Sequence, residues 1–133
     1  MIVNAEGQVL GRISSQIAKK ILSGEEVTVV NVEKAVISGR PEVSHGYYLG
    51  KRQRGDAHKG PFYPRYPDKL FTRVIRGMIP YKKPKGRDAM KRLKVFVGNP
   101  ENLNAEKIAK SKDELTTKYT TLEQVCKVLG AKI

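Results

Sequence analysis

The chain has no tryptophan, one cysteine and two histidines, and its 13 acidic residues are outnumbered by 26 basic ones. Each scarcity excludes something. Cys126 has no cysteine to pair with inside the chain, so nothing points to an oxidising compartment. His45, His58 and Cys126 are too few and too far apart in sequence for the closely spaced ligands of a structural zinc site, and neither metal nor cofactor is expected. No apolar run approaches the ~18 to 20 residues of a membrane span. No segment joins a basic face to a large aromatic one, which argues against a membrane surface as partner. The opening MIVNAEGQVLGRIS lacks the basic flank and apolar core of a signal peptide. These exclusions lead to the expectation of a cytoplasmic protein. A length of 133 residues fits one domain over 1–133.

What is abundant is positive charge, and it is concentrated. From His45 to Lys94 there are fifteen Lys and Arg against three Asp, a net of +12 out of +13 for the whole chain. Residues 1–44 sum to zero and 95–133 to +1. Charge gathered in this way repels itself when the chain folds, and a polyanion is its natural complement.

The hydrophobic pattern predicts an α/β fold. Ile2 and Val3 open a short strand ending near Asn4. Leu10, Ile13, Ile17 and Ile21 recur every three or four residues, as on one helix face, and Ser23-Gly24 closes that helix. Val27 to Val32 is a β-branched run that reads as a buried strand. Strand, helix and strand in some thirty residues predict a βαβ unit with parallel strands. Ala35-Val36-Ile37 is a further apolar piece, and Pro41 suits the first turn of a helix reaching about Leu49.

From Gly50 to Pro67 the period is lost, and three prolines make this an extended loop. Asp68 is placed to cap a helix with Leu70, Phe71, Val74, Ile75 and Met78 on one face and Lys69, Arg73 and Arg76 elsewhere. Pro80 stops it. A basic loop from Tyr81 to Gly86, a short helix from Arg87 to Leu93 and a strand from Lys94 to Gly98 follow. Residues 101–119 show no pattern. Thr120 and Glu123 have capping-box spacing for a last helix, whose face is Leu122, Val125, Cys126 and Leu129. The sum is a small parallel sheet covered by helices on both sides.

Catalysis finds little support. Cys126 falls on an apolar helix face, where a small buried hydrophobe is the simpler role. His45 suits packing or hydrogen bonding. Gly7 and Gly11 flank a strand-to-helix turn, but Gly-Gln-Val-Leu-Gly is neither the dinucleotide fingerprint nor a Walker sequence. No small-molecule substrate is expected.

The basic block offers more. Lys51, Arg52, Arg54, His58, Lys59 and Arg65 fall in the first loop, and Lys82, Lys83, Lys85 and Arg87 in the second. Lys69, Arg73, Arg76, Lys91 and Arg92 fall on the flanking helices, and Arg12 in the first turn of the first helix. Seven of the nine aromatics lie between Tyr47 and Tyr81. Phe62, Tyr63 and Tyr66 interleave with basic residues and proline, a mixture suited to stacking on unpaired bases. No DNA-binding helix motif is present, so an RNA with an uneven surface is the expected partner.

Ile75-Arg76-Gly77-Met78-Ile79-Pro80, then Gly86-Arg87, then Leu93-Lys94-Val95-Phe96-Val97-Gly98 resembles the signature of the large-subunit ribosomal protein thirteen family, in its archaeal form. The opening, with Leu10-Gly11-Arg12 at a helix start, is similar too, as is Val29-Val30-Asn31-Val32 leading to Ala35-Val36-Ile37-Ser38-Gly39. The resemblance implies a three-layer α/β/α fold around a sheet of about four parallel strands. It implies a non-catalytic constituent of the cytoplasmic large subunit that binds ribosomal RNA, supports assembly and adjoins other ribosomal proteins. Arg76 and Arg87 match polar signature positions and are assigned to RNA. Gly77 and Met78 are expected to serve close packing at a helix end.

Overall fold

The computed structural model describes residues 1–108 and 111–132. The opening βαβ unit is present. Strand β1 (Ile2–Asn4) leads to helix α1 (Leu10–Leu22) and to β2 (Val27–Val30), and the two strands pair in parallel with Val3 opposite Val29. The β-branched run stops at Val30 because Asn31 takes a left-handed conformation (φ 58°). Its side-chain amide donates to Asn4 Oδ1 at 3.1 Å, tying the two strand ends together.

Strand β3 (Val36–Ser38) precedes α2 (Pro41–Gln53). After an irregular segment come α3 (Pro67–Arg76), α4 (Pro84–Lys91) and β4 (Leu93–Val95). Strand β5 (Tyr119–Thr121) runs directly into α5 (Leu122–Val128). The parallel sheet has the order β1-β2-β4. It therefore holds three strands where the resemblance implies about four, with Glu106 adding one parallel bridge to Val3 on the outer side of β1. The remaining strands form a separate antiparallel pair, β3 with β5.

Helix α1 packs against α3 and α4, and α2 packs against α5 beside the antiparallel pair. One apolar cluster reaches from Val3 to Ala131 and includes Ile13, Ile17 and Ile21 of α1, Leu70, Phe71 and Ile75 of α3, and Val125 and Cys126 of α5. Full burial of each such side chain stabilises the fold by about 1.5 to 3 kcal/mol.

Several boundaries differ from the sequence reading. Helix α2 continues through Lys51, Arg52 and Gln53, so the irregular segment starts at Arg54. No proline interrupts 44–53, and Lys51 and Arg52 in the last turn complement its dipole. Helix α3 is preceded by Tyr66, with Pro67 at its first position; Asp68 sits in the first turn and makes no cap hydrogen bond. Helix α4 starts at Pro84, which places Lys85 and Arg87 on a helix rather than in a loop. The capping box is Thr121 with Gln124, one residue beyond the expected pair.

Candidate nucleic-acid interface

Helix α3 sets out the first group of cations. Its apolar residues bury against α1, which turns Lys69, Arg73 and Arg76 to the opposite side at i, i+4 and i+7. The three line one open groove of about 360 Å³, together with Asp68, Thr72 and Val95.

Tyr63 brings a second element to the same place. Its ring lies 5.8 Å from the Arg73 guanidinium and 5.5 Å from the Lys51 ammonium, which is also 4.5 Å from the Tyr47 ring. Lys51 comes from α2 and Arg73 from α3, so two like charges from different helices converge on one aromatic residue. Cation–π attraction holds each by about 0.5 to 2 kcal/mol at such half-buried sites. Burial raises the Tyr63 hydroxyl above its usual pKa of 10.0; Lys51 and Arg73 pull it down, and Tyr47 pushes it up. Tyr48, 6.4 Å from Tyr63, is pushed to about 12, mainly by burial.

The far end of α3 leads to the second basic segment. Arg76 stacks over Tyr81 at 4.3 Å. The Arg87 guanidinium donates to the Lys82 carbonyl at 3.1 Å, folding the segment back onto the start of α4. Lys82, Lys83, Lys85 and Arg87 are all exposed.

The other expected residues are placed elsewhere. Arg12, at the start of α1, borders an apolar groove with Tyr48 and Val74. Arg52 and Arg54 line a different groove with Phe62 and Leu129. His58 and Lys59 are exposed in a turn closed by paired Asp56 and Gly60 backbone hydrogen bonds (3.0 and 2.9 Å). Gly55 opens that turn at φ +92°, where a Cβ would stand 2.2 Å from the Gly60 carbonyl oxygen. Arg65 approaches Gly130 beyond the end of α5, where a cation complements the helix dipole. Lys91 is exposed on α4. Arg92 is turned inward, donating to the Ile21 carbonyl at 2.8 Å, and so helps hold the end of α1.

Two further residues take roles other than those the resemblance implies. Gly77 and Met78 do not mediate close packing: a Cβ on Gly77 meets only ordinary contacts, and Met78 is 42% exposed. His45, as expected, makes a hydrogen bond, with its Nε2 3.2 Å from the Thr120 hydroxyl.

Among the described residues, the ion pairs are Lys20–Glu25, Lys34–Glu6 and Lys127–Glu123. None involves a cation from 45–94. The charge of the block is left uncompensated by the fold, as a surface built for an external polyanion requires. Among the same residues no three His, Cys, Asp or Glu side chains converge as metal ligands do.

The family model for ribosomal protein L13 matches residues 1–102. The chain belongs to the ribosomal protein L13 family. Proteins named large ribosomal subunit protein uL13 are similar to it over nearly the full length. That of Methanocaldococcus jannaschii is 47% identical over 98% of this chain and 98% of its own. Those of Archaeoglobus fulgidus and Methanococcus maripaludis are each 46% identical, covering 97% and 99% of this chain and 86% and 98% of theirs. Membership makes this a ribosomal protein and not an enzyme. The matched family segment contains the whole basic block.

Proposed function

We propose that this L13-family chain works in the large subunit of the cytoplasmic ribosome, binds ribosomal RNA directly and supports assembly of the particle beside other ribosomal proteins. The RNA meets the Lys69–Arg73–Arg76 stripe, the Lys51 and Tyr63 cluster, and the exposed Lys82, Lys83, Lys85 and Arg87. Arg12, Arg54, His58, Lys59, Arg65 and Lys91 extend the basic region around that centre. Phosphate contacts supply most of the affinity, and the fit of a rigid α/β body to a folded RNA supplies the register. The observation that carries this reading is the convergence of Lys51 and Arg73 on Tyr63, beside two more α3 cations, with no ion-pair partner for any of them among the described residues.

Competition at fixed salt tests it. Large-subunit ribosomal RNA should displace random RNA of equal length from the protein. Equal competition by the two would reduce the chain to a general nucleic-acid binder.

A further inference from the structure

A second groove shares none of its lining residues with the α3 stripe. It lies between the end of α2, the turn at 55–60 and Leu129 just past the end of α5, with a volume of about 580 Å³. Its walls are Leu49 and Leu129, its cations Arg52 and Arg54, and its rim Asp56 and Phe62. Resting on the RNA-binding proposal above, we infer that this groove takes one unpaired nucleotide of the RNA, with its base stacked on Phe62.

Phe62 is 65% exposed and presents its ring to solvent at the rim of this groove. The turn fixes it there. The Gly60 backbone sits so close under the ring that a Cβ on Gly60 would meet it at 3.0 Å. An aromatic face held in water beside arginines is the arrangement that captures unstacked bases.

The charges give the nucleotide an orientation. Arg52 is half-buried, and its Nε is buried without a hydrogen-bond acceptor among the described residues. Neither Arg52 nor Arg54 has an ion-pair partner there, so the sugar–phosphate belongs at this end. Asp56 repels phosphate. One of its carboxylate oxygens accepts the His58 amide at 3.1 Å, and the other is open to an N–H donor on a base edge. Every unpaired base can supply such a donor, through the exocyclic amino group of adenine, cytosine or guanine or the N3–H of uracil.

The test uses the full chain and large-subunit ribosomal RNA. Phe62→Leu should weaken binding by roughly 5- to 150-fold, the range for losing one stacked base, and Phe62→Tyr should restore it. The dependence of affinity on salt should be unchanged in both, because no cation is removed. A photo-crosslinking phenylalanine analogue at Phe62 should form its adduct with a single unpaired nucleotide. Wild-type affinity in Phe62→Leu, or adducts with paired nucleotides only, would overturn the inference. Loss of all preference for ribosomal over random RNA in the wild-type chain would instead remove the RNA-binding proposal, and this one with it.

Discussion

The backbone of Gly86 lies against Pro80 so closely that a Cβ on Gly86 would stand 1.9 Å from the Pro80 carbonyl oxygen. Pro80 ends the approach from α3 and Gly86 lies in the first turn of α4, so this contact sets where the second basic segment leaves and rejoins the body. Gly86→Ala should therefore destabilise the protein by about 1 to 3 kcal/mol, as overpacking does, and towards the upper end, because the obstacle is backbone. Urea unfolding would register this as a lower midpoint at unchanged slope. Gly77→Ala, with room for its methyl group, serves as the control and should stay within about 0.5 kcal/mol of wild type.

Replacing Lys69, Arg73 and Arg76 together with Gln should flatten the log–log salt dependence of RNA binding by roughly two to three units, at 0.7 to 0.9 per phosphate contact. The fold should survive, since none of the three carries an ion pair among the described residues. Binding titrations at several salt concentrations, with a circular-dichroism melt alongside, read both quantities. An unchanged slope would take the stripe out of the interface.

Arg92 should behave in the opposite way. Its guanidinium satisfies the Ile21 carbonyl at the end of α1. Arg92→Leu should cost about 1.5 to 3 kcal/mol of stability, the range for a hydrogen bond from a charged group, and leave the salt slope within error of wild type. A slope lower by about one unit with stability intact would return Arg92 to the RNA surface.

The contrast between Arg92 and Arg76 shows where sequence reading reaches its limit. Both are cations of the same basic block, and only the tertiary structure turns one inward. Local patterns read well: the α1 face, the β2 run and the parallel βαβ unit rest on contacts close in sequence. The α3 stripe was legible as well, because its cations alternate with a strongly apolar face. Helix α2 ran past its expected end because Gly46, Gly50 and a polar tail blur its period, with Ser44 its one buried residue. The pairing of β3 with β5 joins segments some eighty residues apart, and Glu106 bridges to Val3 across about a hundred. Neither leaves a periodic mark on the chain. The meeting of Lys51, Tyr63 and Arg73 is of the same kind, since it depends on how α2 and α3 are placed.

Cys126 and Tyr48 make the fold sensitive to alkali. Burial pushes the Cys126 thiol from 9.0 to about 12, with Asp68 and Glu123 adding to it, and pushes the Tyr48 hydroxyl from 10.0 to about 12. In the unfolded chain both groups lose their protons at the lower values, so between the two the unfolded state binds fewer protons than the native one. Stability is then full below about pH 9 and falls as pH rises towards 12. Urea midpoints at pH 8 and pH 10.5 should differ in that direction. The Cys126 thiol should resist alkylation until the protein unfolds.

If the uncompensated cations of 45–94 hold a large RNA scaffold, salt alone should separate the two. Sedimentation of the native protein with large ribosomal particles across increasing ionic strength measures this. The protein should travel with the particles at low salt and leave at high salt, and its affinity for large-subunit RNA should fall with a log–log slope of about −6 to −7 if roughly eight cations meet phosphates. A protein that sediments alone at low salt, or an affinity indifferent to salt, would contradict it.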